Sequence, residues 1–296
     1  MAVDRPAPDT AARSLAHWSE AGRDEMEAFY ALARLDYELL ARALDWRGVF
    51  TGLSVARGAA SLELLDVACG SGKFPEALLA HADLEGLEPI RYDLLDPSAF
   101  SLREAAAVLM PPFAAGTRFQ STLEELAPEA GPWDVVWATH ALYALEPRNI
   151  HAAMARLICA RAPAGWTFLA QGARSGHYLR VYEAFLEGVR GGAGTPYVAG
   201  ADLVAALGAL GAAPAVRRLS YDHVVADGET AVLEGYLQRC LFDDTVALAE
   251  LLEAPVLGPY LASAHDAGAG VYRFHHEVDL VVVAPTGGAV PWTVAS

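Results

Sequence analysis

Apolar positions recur at intervals of three and four between Leu15 and Leu44, through Met26, Phe29, Tyr30, Ala33, Tyr37 and Leu40. That spacing gathers them on one helical face and predicts one or two amphipathic helices before any strand. Residues 1–13 are polar and proline-bearing and read as a loose tail. The pattern then changes. Leu62–Val67 is a short apolar run ending at Ala68-Cys69-Gly70-Ser71-Gly72: a buried strand entering a tight turn, with a helix over Phe74–Ala82 behind it.

The alternation repeats. Strands are predicted over Ile90–Leu95, Thr117–Gln120, Asp134–Ala138 and Trp166–Gln171, with helices over Ser101–Leu109 and Asn149–Arg161 between them. Helices over Ser175–Gly188 and Asp202–Leu210 follow, then a strand over Ala215–Val225, a helical period over Thr230–Leu252 and a final strand over Gly270–Ala284. Strands alternating with helices imply a parallel sheet wound by crossover helices. The expected fold is α/β and doubly wound, with a mostly parallel seven-stranded sheet, an N-terminal helical cap and a helical insertion before the last strand. No repeat or low-complexity linker interrupts it. We therefore expect one domain over 1–296: a cap or lid (1–50), a ligand-binding core (60–172), substrate-side helices and final strands (173–285), and a tail (286–296).

Composition narrows the function. The formal net charge is −16, from 37 acidic and 21 basic residues, with no basic run to neutralise phosphates. We expect neither a nucleic-acid nor a membrane partner. The three cysteines (Cys69, Cys159, Cys240) lack CxxC spacing, which points away from a zinc site and a disulfide framework. There is no secretory h-region and no apolar run near the roughly 20 residues that span a bilayer, so a cytoplasmic protein is expected, monomeric or homodimeric.

The strongest chemical signal is the glycine turn. Small residues after a strand let backbone pass close beneath a ligand, and the next helix offers free N–H groups at its positive end. A dinucleotide fingerprint would place a third glycine at Pro75, which disfavours a nicotinamide or flavin site. The next strand ends in Asp96, an acid at a strand tip able to accept hydrogen bonds from two ribose hydroxyls; it is equally placed to cap the helix beginning near Ser98.

The run Asp66-Val67-Ala68-Cys69-Gly70-Ser71-Gly72 resembles the first motif of class I S-adenosylmethionine-dependent methyltransferases, with Ala68 where the motif usually begins with glycine. Asp96 resembles their ribose-binding acid. A closer resemblance runs to the histamine N-methyltransferase-like branch. It is carried by Asp96-Pro97-Ser98-Ala99, by Trp133-Asp134 leading to Leu142-Tyr143, and by helices inserted before an aromatic-rich last strand, Tyr272–Ala284.

The resemblance implies a Rossmann-like methyltransferase fold, S-adenosylmethionine as cofactor and no metal. It places the cofactor against Asp66, Ala68, Gly70, Gly72, Asp96, Pro97 and Ser101. Ser121 and Thr122 fall near adenine, and Thr139 and His140 at the methyl-transfer face. The chain departs from the branch at His140 and His276, which replace a glutamine and an asparagine that help hold histamine.

Methyl transfer from a sulfonium requires exclusion of water, alignment of the nucleophile and uptake of a proton where the acceptor carries one. His140, just past the fourth strand, is a candidate base and equally a loop histidine satisfied by backbone. On the last strand, Tyr272, Phe274, His276, Val278, Leu280 and Val282 share one face; Arg273, His275, Glu277 and Asp279 share the other. Period-two geometry turns His276 inward, as pocket wall or as core. Tyr143 is the third catalytic candidate. Tyr30, Tyr37 and Tyr178 are candidate substrate contacts, with His140 and His276, and each also fits an ordinary helix stripe. The expected substrate is a small aromatic or heteroaromatic molecule. An amine nitrogen comes first by resemblance, with an indole-like carbon or a phenol oxygen as alternatives. A cyclase or a cofactor-binding scaffold on the same fold is the rival of a different class.

Overall fold

In the computed structural model, the described residues are 9–18, 23–58, 60–285, 288 and 290–293, the side chains of 23–25 excepted. Three helices come first: α1 (Thr10–His17), α2 (Arg23–Arg42) and α3 (Trp46–Arg57). The alternating core follows: β1 (Leu62–Val67), α4 (Lys73–His81), β2 (Ile90–Leu95), α5 (Ala99–Val108), β3 (Phe113–Phe119), β4 (Trp133–Thr139), α6 (Ile150–Ala160) and β5 (Arg161–Gly172). The last part holds α7 (His177–Gly188), α8 (Gly200–Ala209), β6 (Ala215–Ala226), α9 (Thr230–Leu241), α10 (Leu248–Glu253), α11 (Leu257–Ala264), β7 (His265–Asp266) and β8 (Val271–Val283).

Among the described residues the sheet has eight strands, in the order β3-β2-β1-β4-β5-β8-β6, with the two-residue β7 paired beside β8. Strands β1 to β5 are mutually parallel, β8 is antiparallel to both β5 and β6, and the sheet is therefore mostly parallel. Seven strands were expected; β7 is too short to carry a periodic signal. Alternate residues feed opposite cores. Leu64, Tyr92, Val135, Trp137 and Phe168 pack under α3, α4 and α5, while Leu65, Val136, Ala138 and Leu169 pack under α6 and α8. A third apolar cluster joins α7, α9, α10 and α11 to Val225 and Phe274.

One register detail positions the site. The last β5–β8 pair is Gly172 with Val278, whereas β6 and β8 stay paired out to Ala226 and Val271. The β6–β8 ribbon therefore overhangs the carboxyl edge of the parallel strands and carries His223, Phe274 and His276 beyond it.

Several boundaries differ from expectation. The loose tail contains α1, whose start is capped by Asp9, its Oδ1 accepting from Ala12 N–H at 2.8 Å; residues 1–8 lie outside the described residues. The helical period over Thr230–Leu252 is two helices, broken where Phe242 turns left-handed (φ 48°). Asp243 then accepts from Thr245 N–H and Oγ1–H, a side-chain turn that competes with helix while spacing on either side is preserved. Strand β3 begins at Phe113, not Thr117, because pairing with β2 overrides a weak Phe-Ala-Ala-Gly pattern. In the expected tail, Trp292 bridges to Leu44 and Asp45 N–H donates to the Pro291 carbonyl at 3.0 Å.

Trp46, only 2% exposed, centres the larger core. It stands edge-on to Phe74, Trp137 and Phe168 at 5.6, 5.8 and 5.1 Å. Its truncation leaves a cavity that three flanking elements cannot close. Trp46→Ala is expected to cost roughly 3–5 kcal/mol, read as a lowered urea midpoint at an unchanged slope.

Candidate active site

A cavity of about 420 Å³ opens at the carboxyl ends of β1, β2 and β4, where the strand order reverses between β1 and β4. Doubly wound sheets hold ligands at such a switch point, because loops from adjacent strands diverge there to opposite faces. Helix α1 contributes Ala11, Ala12, Ser14 and Leu15 to one wall, and Trp18 stands beside them. The helix is tied down: Thr10 Oγ1 donates to the Thr195 carbonyl at 2.8 Å, and Arg13 lies 3.7 Å from buried Asp243.

At one end of the cavity lie Ala68, Gly70, Asp96 and Pro97, with Ser121 and Thr122 nearby. Asp96 Oδ2 accepts from Gly70 N–H at 3.0 Å and Oδ1 accepts from Ser98 N–H at 2.8 Å. Burial raises its carboxyl above the ordinary range, and these two backbone donors pull it partly back. Each oxygen keeps lone-pair capacity for a ligand donor. Asp96 thus braces the glycine turn, while the cap of α5 is Ser98, whose Oγ accepts from Ser101 N–H.

The two glycines of the motif have different tasks. A Cβ on Gly70 (φ 51°) would meet only Tyr30 Oη, 4.0 Å away, so its open side belongs to the cavity. A Cβ on Gly72 (φ 74°) would sit 2.6 Å from Val108 Cγ2 and 2.8 Å from Ala105 Cα. Gly72 is therefore the close-packing glycine against α5 and does not line the cavity. Ala68 holds φ 51°, the left-handed region that glycine tolerates and alanine resists.

The other end is aromatic. Tyr30, Tyr37, Tyr143, Tyr178, Phe29 and His140 line it, together with Thr139, Cys240 and Phe242. His140 also holds a positive φ, 52°, anchored by its N–H on the Ala170 carbonyl at 2.8 Å. Its Nδ1 lies 2.8 Å from Tyr143 Oη, which accepts from Gly172 N–H at 3.0 Å. His140 Nε2 is buried, with no hydrogen-bond partner among the described residues. Burial lowers the imidazole below its ordinary 6.5, against an upward pull from Asp36.

Three further expected contacts lie elsewhere. Asp66 is buried behind the turn and accepts from Tyr92 Oη at 2.7 Å; burial lifts its carboxyl to about 7, against the Tyr92 hydrogen bond. Ser101 is buried in the first turn of α5. His276 points inward as the period-two argument requires, 1% exposed, but the cavity does not reach it. It stacks on Tyr221 at 5.2 Å, stands edge-on to Tyr178 at 4.5 Å, and its Nε2 is 3.0 Å from Tyr236 Oη. The overhanging ribbon places it one layer behind the wall.

The sequence reading missed Asp36, a cavity-lining acid only 1% exposed. Its Oδ2 accepts from Tyr178 Oη at 2.7 Å and its Oδ1 is 2.6 Å from His223 Nε2. Burial acts to raise its carboxyl, yet His223, His140 and Tyr178 together outweigh this and hold it below the ordinary range. The signal was present: position 36 falls on the same helical face as Ala33, Tyr37 and Leu40, where an acid is costly without a partner. Lys73 and Arg239 also line the cavity, Lys73 paired with Glu76 at 2.7 Å and Arg239 lying 4.9 Å over the Trp18 ring.

No family model matches the chain, and no curated protein matches it in sequence. Solved structures resemble it in fold. A protein described as a methyltransferase from Bacillus halodurans C-125 is 16% identical with a TM-score of 0.52, covering 80% of this chain and 98% of that one. The magnesium protoporphyrin IX methyltransferase of Synechocystis PCC 6803, solved with bound S-adenosylhomocysteine, is 15% identical with a TM-score of 0.51, covering 92% and 99%. This likeness is to the class I methyltransferase fold; it does not reach the histamine branch.

The glycine geometry is testable on stability alone. Gly72→Val is expected to cost about 2–4 kcal/mol by overpacking α5 at a strained φ, and Gly70→Val only about 1–2 kcal/mol of strain. Thermal midpoints that fall equally would contradict the assignment.

Proposed function

We propose that the protein is an S-adenosylmethionine-dependent methyltransferase acting on a small aromatic or heteroaromatic molecule, with an amine nitrogen as the favoured acceptor. One observation carries the reading. One cavity runs from a glycine turn braced by a strand-tip acid to an aromatic chamber holding an imidazole nitrogen without a partner among the described residues. The cofactor would supply an electrophilic methyl on a positively charged sulfur. Gly70 fits it, since its open face is a cradle that any Cβ would fill, and so does Asp96, whose spare lone pairs suit a ribose diol. Ser121 and Thr122 border the space beside Asp96, where adenine would lie.

The chain's own residues then exclude water, align the acceptor and manage one proton. The α1–α2 cap and the tyrosines wall off solvent. In the tautomer that donates Nδ1–H to Tyr143, His140 presents its Nε2 lone pair, and its lowered basicity keeps it unprotonated near neutrality. Carbon and oxygen acceptors would use the same chamber. A cyclase or a scaffold would leave no methylated product, which mass analysis decides.

Calorimetric titration with S-adenosylhomocysteine tests the cofactor end. The wild type is expected to bind; Asp96→Ala should lose roughly 1–3 kcal/mol of affinity and Gly70→Val nearly all of it. A wild type that binds none of it would overturn the reading.

For an amine that loses a proton, His140→Ala is expected to lower kcat about 100-fold while cofactor affinity stays within about twofold. The acid limb of the wild-type rate should fall below pH 6.5, because a lowered imidazole pKa preserves the basic form to lower pH. A limb well above that value, or a loss under about tenfold, would reduce His140 to an orienting role.

A further inference from the structure

The aromatic side chains of the chamber form a closed circuit. Ring centroids lie 6.3 Å apart for Tyr30–Tyr37, 5.8 Å for Tyr37–His140 and 6.0 Å for His140–Tyr178. The circuit closes through Tyr178–Phe29 at 6.2 Å and Phe29–Tyr30 at 5.4 Å. All five line the same cavity. Tyr37–His140 and His140–Tyr178 meet at 78° and 75°, so successive rings turn and cannot collapse into one stack. Aromatic faces carry negative charge density, and rings set around a shared space hold a desolvated cation well.

Asp36 adds a full charge to that enclosure. It neighbours Tyr37 in the chain and accepts a hydrogen bond from Tyr178, so one ring of the five holds it directly. His223 and Tyr178 occupy one lone-pair direction on each oxygen. Behind it, His223 Nδ1 is 3.0 Å from Tyr236 Oη, itself 3.0 Å from His276 Nε2. These contacts link the three groups to the carboxylate in one continuous hydrogen-bonded chain. It runs from His276 through Tyr236 and His223 to Asp36. The buried anion is thus supported from one side and bordered by the cavity on the other.

We propose that this ring, closed by Asp36, is a cation-accepting subsite, and that the acceptor is an amine converted to a more substituted ammonium. The proposal rests on the methyltransferase reading. In that reaction the nitrogen lone pair forms the C–N bond, the C–S electron pair returns to sulfur, and the positive charge crosses to nitrogen. A secondary or primary amine then releases its proton to His140 or to water, whereas a tertiary amine keeps the charge. Carbon and oxygen acceptors end as neutral products, which draw little from an anion and a ring of aromatic side chains. An enclosure preorganised for positive charge lowers the barrier where that charge develops.

The test uses full-length protein saturated with S-adenosylhomocysteine, titrated with phenyltrimethylammonium and with its neutral isostere tert-butylbenzene. The ammonium is expected to bind at least about tenfold more tightly. Asp36→Asn should remove most of that preference, and Tyr37→Leu, which leaves the carboxylate in place, should weaken the ammonium several-fold. Both should leave S-adenosylhomocysteine affinity within about twofold. An isostere that binds as well as the ammonium overturns the proposal, as does a folded Asp36→Asn protein that keeps the full preference. Failure of S-adenosylhomocysteine to bind overturns the methyltransferase reading instead, and the same two titrations on the free protein then decide the subsite.

Discussion

The contact between Asp36 and His223, both almost fully buried, sets the geometry of the aromatic chamber. Asp36 belongs to α2 and His223 to β6, and Tyr178 of α7 closes the same carboxylate from its other oxygen. Burying a carboxylate is costly unless it is paired and hydrogen-bonded, so these three elements meet in one arrangement. Helix α2 is thereby drawn across the carboxyl edge of the sheet, carrying Phe29, Tyr30 and Tyr37 over the cavity. The overhang of the β6–β8 ribbon makes this possible, because it brings His223 and His276 beyond the last residue of β5. Without that register the carboxylate would lose His223 and keep only Tyr178.

At the opposite end the governing constraint is backbone conformation. Ala68, Gly70, Gly72 and His140 all hold positive φ, between 51° and 74°. Two of them are not glycine, and each such residue stores of order 1–3 kcal/mol. The strain turns the strand ends of β1 and β4 sharply away from the sheet. It leaves the cavity between them, with Gly70 N–H directed to Asp96 and His140 N–H to Ala170. The sheet supplies the rigidity that sustains it: β1 and β4 are buried along almost their whole length between two helical layers.

Much of this was legible. Strands β1 and β2 match the apolar runs residue for residue, because fully buried parallel strands leave an uninterrupted signature. The glycine turn and Asp96 were legible for the same reason, since local backbone demands restrict residue type. Helix α1 and the break at Phe242 were not. The first is held mainly by contacts from distant residues such as Tyr182, Thr195 and Asp243, and the second preserves helical spacing on both sides.

Period-two geometry correctly turned His276 inward yet could not say what it would meet, and Gly72 looked like Gly70 until α5 was seen packed against it. The sequence by itself determined the wound α/β order, the turn and the acid that braces it, all consequences of local pattern and backbone sterics. Which side chains share the chamber was decided by the tertiary structure alone. That choice depends on a strand register and on a carboxylate that finds its partners 142 and 187 residues away. Hydrophobic spacing records which face of an element is buried; it carries no information about which buried faces meet.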